Sequence, residues 1–130
     1  MANPKGKRSQ VIRILLVEDQ TIFRNAFAML LGNEPDMEVV AQAGSLAEAR
    51  EVLDGRFDVV VLDLGLPDGD GRELIGELRR SNPGVSVMVL SAIMMAKDFE
   101  EVRKAGADAV LTKVEGPLVI VEEVRRLAGE

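Results

Sequence analysis

The strongest constraint on this chain is a rhythm. Five short apolar runs, 11–17 VIRILLV, 37–43 MEVVAQA, 58–62 DVVVL, 85–90 VSVMVL and 108–112 DAVLT, alternate with helical patterns. The first, third and fourth are nearly continuous in Val, Ile and Leu, as strands buried on both faces of a parallel sheet are. The second alternates more, as an edge strand does. Between the runs, Phe23, Ala26, Phe27, Leu30 and Leu31 recur at helical spacing and make one apolar face. A second helix opens on a capping box, Ser45 with Glu48 three residues on, and carries Leu46, Ala49 and Leu53. A third spans about 72–81 on Leu74, Ile75 and Leu78 and stops at SNPG. A fourth, about 97–105, has only Phe99, Val102 and Ala105 to bury. A fifth begins at Pro117, a residue suited to a helix start, and runs through Leu118, Val121, Val124 and Leu127. This (βα)5 alternation predicts an α/β fold, a doubly wound parallel five-stranded sheet with right-handed crossovers.

The chain of 130 residues is long enough for one compact domain with a real core. Residues 1–10, MANPKGKRSQ, are basic with no secretory h-region after them and read as a flexible leader; residues 11–130 form the domain. No apolar run approaches the length of a membrane-spanning helix, so no membrane partner is expected. Cysteine and histidine are both absent. That removes disulfides, thiolate chemistry, the commonest general base and the usual zinc ligands, and it fits the cytoplasm. A net charge of −6 argues against direct nucleic-acid binding by this domain, with only Lys5, Lys7 and Arg8 of the leader to the contrary.

Open α/β sheets bind ligands beyond the carboxyl ends of their strands. Here strand one ends in Glu18-Asp19, strand three in Asp63, strand four in Ser91 and strand five in Thr112-Lys113. Each has an ordinary reading alone: a turn former or cap for Asp63, a helix-dipole partner for the acid pair, a solvated surface group for Lys113. Converging on one sheet edge, they make that reading improbable. Clustered carboxylates repel and raise one another's pKa values. A hard divalent cation such as Mg²⁺ resolves the conflict with oxygen ligands. Asp63 could then be a nucleophile towards a phosphoryl group, a reaction that needs mainly positioning and charge neutralisation.

At this point ILLVEDQ, DVVVLDLGLPDGDGREL, VMVLSA and AGADAVLTK, in this order and at this spacing, resemble the response-regulator receiver (CheY-like) domain of two-component signalling. The resemblance covers residues 12–128 and implies the flavodoxin-like strand order 2-1-3-4-5. It implies a signalling switch rather than an enzyme. Asp63 would accept phosphate from a phosphohistidine on a sensor histidine kinase or phosphotransfer protein, or from acetyl phosphate. Asp19 and Asp63 would hold Mg²⁺, Glu18 would act mainly through water, and the Gly65 carbonyl would complete the set. Lys113 would pair with Asp63 and then with the phosphoryl oxygens. Ser91 would hydrogen-bond the phosphoryl group and carry the signal to the face of helix four, strand five and helix five. QTIFRNAFAMLL, Pro117 and EEVRRLAGE resemble the NarL/FixJ-type branch, which implies a DNA-binding output domain beyond this chain and a possible homodimer on activation. Such a receiver stands alone or is excised from a longer regulator; the second is the expectation.

The sequence also departs from the family's pattern. Val110 stands where most receivers carry an aromatic that swings inward on activation, and Val is stiff at χ1. Val114 stands where many carry Pro after the lysine, so a cis bond is not expected. Met94-Met95 offer either a soft contact surface or a flexible loop. A haloacid-dehalogenase-like phosphatase would need a second carboxylate at Gly65, and a nucleotide site would need a Gly-rich turn in place of VEDQT. DGDG at 68–71 lacks the remaining ligands of a calcium loop. The main alternative is a degenerate receiver that acts as a phosphorylation-independent interaction module.

Overall fold

The computed structural model describes residues 11–92 and 96–129. The leader, Met94 and Met95 lie outside the described residues. Five parallel strands, β1 (Ile12–Val17), β2 (Met37–Ala43), β3 (Val59–Leu62), β4 (Ser86–Ser91) and β5 (Ala109–Thr112), pair in the order β2-β1-β3-β4-β5. The helices between and after them are α1 (Thr21–Gly32), α2 (Leu46–Glu51), α3 (Arg72–Ser81), α4 (Ala96–Lys104) and α5 (Pro117–Leu127). This is the (βα)5 architecture and strand order anticipated above.

The continuous apolar runs serve two cores at once, because successive side chains of a strand point to opposite faces. Ile12, Ile14, Leu16, Val59, Val61, Met88 and Leu90 pack with Phe27 and Leu31 of α1 and with Ile120, Val121 and Val124 of α5. Leu15, Val17, Val60, Leu62, Val87 and Val89 pack on the other face with Leu46, Leu74, Ile75, Leu78 and Val102. β2 is the edge strand, with only Met37 and Ala43 fully buried. Its register against β1 slips at Val40: Ile14 pairs with Val39 and Leu15 with Ala41. Val40 and Ala41 both lean on the second core, so the extra residue keeps two consecutive side chains on one face.

Five local expectations are corrected. In the capping box, Ser45 Oγ accepts from the Glu48 N–H as expected, but Glu48 Oε1 accepts from the N–H of Gly44, one residue before the cap. α2 ends at Glu51, so Leu53 reaches the core from the following turn. Ala105 is exposed beyond the end of α4, which buries Val102 and half-buries Phe99. The α5 face consists of Ile120, Val121 and Val124, whereas Leu118 is 75% exposed beside Pro117, where the helix has only begun. In α1, Ala26 is exposed and Phe23 rises above the core, for a reason given below.

α5 is tied to the connection between α1 and β2 by Arg125. Its Nε and Nη2 donate to both oxygens of Asp36 at 2.7 and 2.9 Å, and Nη2 also donates to Glu34. The guanidinium hydrogen bond holds the Asp36 carboxyl below its ordinary 3.8, against a smaller upward push from burial. A lowered folded-state pKa contributes stability above the unfolded value, and that stability is lost as pH falls through the folded one. Arg125→Ala is therefore expected to cost about 1 kcal/mol at neutral pH, since both side chains are about one-third exposed. The difference between variant and wild type in urea unfolding should shrink as the pH falls below about 4. A difference independent of pH would show that only the packing of the arginine stem matters.

Candidate functional site

The carboxyl ends of β1, β3 and β5 deliver their polar residues to one point because the ladder continues one residue past each strand. The Glu18 N–H donates to Ala43 O at 2.9 Å, the Asp63 N–H to Val17 O at 2.9 Å and the Lys113 N–H to Ser91 O at 2.7 Å. Each backbone is thus anchored just where its side chain turns out over the sheet edge. Carboxylate oxygens of Glu18, Asp19 and Asp63 all lie within 4.8 Å of one another. Glu18 and Asp63 are buried and Asp19 is half-buried.

Among the described residues one cation, Lys113, contacts two of these acids. Lys113 Nζ lies 2.7 Å from Glu18 Oε1 and 3.3 Å from Asp63 Oδ2, with all three side chains nearly enclosed. The remaining oxygens use backbone donors: Glu18 Oε2 takes the Gln20 N–H at 3.0 Å and Asp63 Oδ1 the Gly65 N–H at 3.2 Å. Burial pushes the Glu18 carboxyl up, the hydrogen bond from Lys113 pulls it only part of the way back, and the nearby Asp63 charge adds to the rise. Burial alone would lower the Lys113 ammonium, but Glu18 and Asp63 outweigh it and leave the group above its ordinary value. A single ammonium leaves the cluster short of positive charge. Oxygen donors alone, at this spacing, suit a hard divalent cation.

Ser91 is the last residue of β4 and lies beside this cluster. With Leu64, Gly65, Asp70, Arg72, Asp98 and Glu101 it lines a shallow cavity of about 300 Å³ between the β3–α3 connection and α4. A larger cavity of about 690 Å³ lies at the opposite edge of the sheet, around Arg13, Asp54, Arg56 and Asn82, and contains none of these site residues. All the site residues read from the sequence are therefore at the carboxyl edge. Glu18, Asp19, Asp63 and Lys113 form one group; Gly65 touches it through its N–H, and Ser91 borders it.

Three neighbours escaped the sequence reading. Gly65–Leu66 and Gly69–Asp70 form a small antiparallel hairpin, too short to show any periodicity. Its Asp68 carboxylate accepts the Leu46 and Ala47 N–H groups at 2.8 and 2.9 Å, which ties the loop after Asp63 to the start of α2. Arg72 pairs with Asp70 and reaches Glu101 of α4 at 3.2 Å. Phe23 places its ring against Lys113. Gly71 makes the turn into α3 possible, because a Cβ there would lie 2.8 Å from Asp63 O and 2.9 Å from Leu64 Cα. The Lys113–Val114 bond is trans. Val110 is buried in the core on the α2, α3 and α4 side of the sheet.

A 2-1-3-4-5 sheet with three acids and one lysine at its carboxyl edge is the arrangement that the sequence resemblance implies. Residues 14–125 match the response regulator receiver domain family. The chain belongs to that family, and is a phospho-accepting signalling domain rather than a catalytic enzyme. It is 37% identical over 119 residues to the transcriptional regulatory protein UhpA of Salmonella typhimurium, covering 91% of this chain and 59% of that protein. It is 36% identical over 104 residues to the DNA-binding transcriptional activator DevR/DosR of Mycobacterium tuberculosis, covering 79% and 48%. Among solved structures, a two-component response regulator of the LuxR family from Aurantimonas sp. SI85-9A1 superposes with a TM-score of 0.84 at 29% identity, covering 93% of this chain and 88% of that one. The chain spans about half the length of the curated relatives it matches. These likenesses agree with the NarL/FixJ-type branch suggested by the first helix, Pro117 and the ending EEVRRLAGE. No helix among the described residues is long and apolar enough to cross a membrane.

Proposed function

We propose that Asp63 is the phosphoryl acceptor, that Glu18, Asp19, Asp63 and the Gly65 carbonyl hold Mg²⁺, and that Lys113 and Ser91 receive the transferred group. The observation that carries this reading is the set of three carboxylates within 4.8 Å of one another with the Lys113 ammonium in contact. An Asp63 oxygen attacks the phosphorus of a phosphohistidine on a sensor kinase or phosphotransfer protein. A P–O bond forms as the P–N bond breaks, and the imidazole leaves with the electron pair. With acetyl phosphate the leaving group is acetate. Mg²⁺, when bound, supplies charge neutralisation for the phosphoryl oxygens. Lys113 gives up Glu18 and turns to the new oxygens, while the Ser91 hydroxyl donates to them from the end of β4.

The switch follows from differential affinity: the added charge favours the arrangement in which Lys113 and Ser91 both reach it. α4 is the element to shift, because its apolar face is thin, with Val102 fully buried and Phe99 only half-buried. The α4, β5 and α5 face then presents a changed surface, to a second copy on activation and to a DNA-binding output domain. The acid set supports this reading over a phosphorylation-independent interaction module. Val110, packed in the core, supports only a coupling that does without an aromatic swing.

The test is intact mass after incubation with acetyl phosphate, with and without Mg²⁺. A single phosphoryl adduct that disappears with a chelator is expected. No adduct, together with no Mg²⁺ binding by calorimetry, would leave the interaction module as the function.

A further inference from the structure

Phe23 is the neighbour of the site that the proposed function leaves unused. Helical spacing assigns it to the buried face of α1, yet it is 40% exposed. Its ring stacks on Phe27, with centroids 6.0 Å apart and planes 22° from parallel, and Phe27 is seated in the core beneath α1. Lys113 Nζ lies 4.5 Å from the centroid of the Phe23 ring. An ammonium at this distance from an aromatic face is attracted by the ring quadrupole, and more strongly when water is excluded. The Lys113 side chain is 6% exposed, so water is largely excluded.

The ammonium thus has three neighbours of two kinds. Glu18 and Asp63 are carboxylates, and both are drawn upon when a divalent cation and then a phosphoryl group enter. The Phe23 ring is drawn upon by neither, and its stacking on Phe27 ties it to the core. We propose that Phe23 is a positioning residue for Lys113: its ring face keeps the ammonium at the mouth of the acid cluster after Glu18 turns to the cation. Lys113 then stays within reach of the phosphoryl oxygens instead of leaving for solvent. The catalytic consequence and the retention at a metal-loaded site rest on the function proposed above; the contact of ring and ammonium in the free protein does not.

Two readouts on the whole chain separate these. In NMR spectra, ring current should displace the Lys113 ε-methylene protons of the wild type and of Phe23→Tyr, but not of Phe23→Leu. The displacement should persist at saturating Mg²⁺; its absence, or its loss on adding Mg²⁺, would overturn the proposal. In the acetyl phosphate reaction followed by mass, Phe23→Leu should slow adduct formation about three- to tenfold, and Phe23→Tyr should restore it. In a Lys113→Gln background, Phe23→Leu should add no further loss. A full-rate Phe23→Leu, or an equal loss in that background, would show that Phe23 does not act through the lysine. A wild type that neither accepts a phosphoryl group nor binds Mg²⁺ would refute the function of Asp63, and the proton shifts in the metal-free protein would still decide the role of Phe23.

Discussion

Asp63→Asn is expected to abolish the phosphoryl adduct outright and, without divalent cations, to raise the melting temperature. The first effect is chemical, since an amide oxygen is no nucleophile for phosphorus at neutral pH. The second is electrostatic. Of three carboxylates within 4.8 Å of one another, two share one ammonium. Asn keeps the oxygen that accepts the Gly65 N–H and removes one of the repelling charges, while Lys113 retains Glu18, the nearer of its two partners. The gain should be about 1 kcal/mol, or a few degrees in Tm for a domain of this size. Calorimetry in a chelator measures it. A variant that still takes up phosphate would place the acceptor elsewhere, and a lower Tm would mean that Lys113–Asp63 attraction outweighs repulsion among the acids.

Lys113→Met carries the opposite sign. The substitution keeps the length of the side chain and removes the only cation in contact with the buried acids among the described residues. Leaving an enclosed charge without its partner costs roughly 3 kcal/mol, the lower end of the usual range because Asp19 in the same cluster is only half-buried. Saturating Mg²⁺ should recover much of this loss, since a divalent cation and the lysine answer the same charge deficit. Phosphoryl uptake should nevertheless fall about a hundredfold or more, because positive charge at the developing phosphoryl oxygens is lost. Urea unfolding with and without Mg²⁺, beside the mass assay, reads both effects. If Mg²⁺ stabilised the variant no more than it stabilises the wild type, lysine and metal would not be alternatives for one deficit.

The placement of the candidate site was largely legible in the sequence. A run such as DVVVLD leaves little choice for its terminal Asp, because the backbone ladder ties it to the edge of a buried sheet. The same holds for Glu18-Asp19 after IRILLV and for Lys113 after AVLT. Strand ends are specified by the period of the strand, so their convergence could be read without coordinates. Other features lack such a period. The hairpin around Pro67 has two residues in each arm, and Asp68 finds its partners in α2, more than twenty residues away. Glu48 closes its capping contact on Gly44, a choice set by how the chain enters α2. Phe23 misled for a different reason. Helical spacing reports which side of α1 a residue is on, but not its height along the axis, and at that height the core gives way to the lysine.

The slip of register at Val40 also has a bearing on association. A parallel sheet of this order ends in two open edges, β2 and β5, each offering unpaired backbone groups to another chain. The bulge interrupts the even ladder that a docking strand would need along β2, and β5 is only four residues long. Strand-to-strand polymerisation is thus disfavoured at both ends of the sheet. For a molecule whose signal consists of changing its neighbours, that leaves the helical faces as the surfaces on which partners can be chosen.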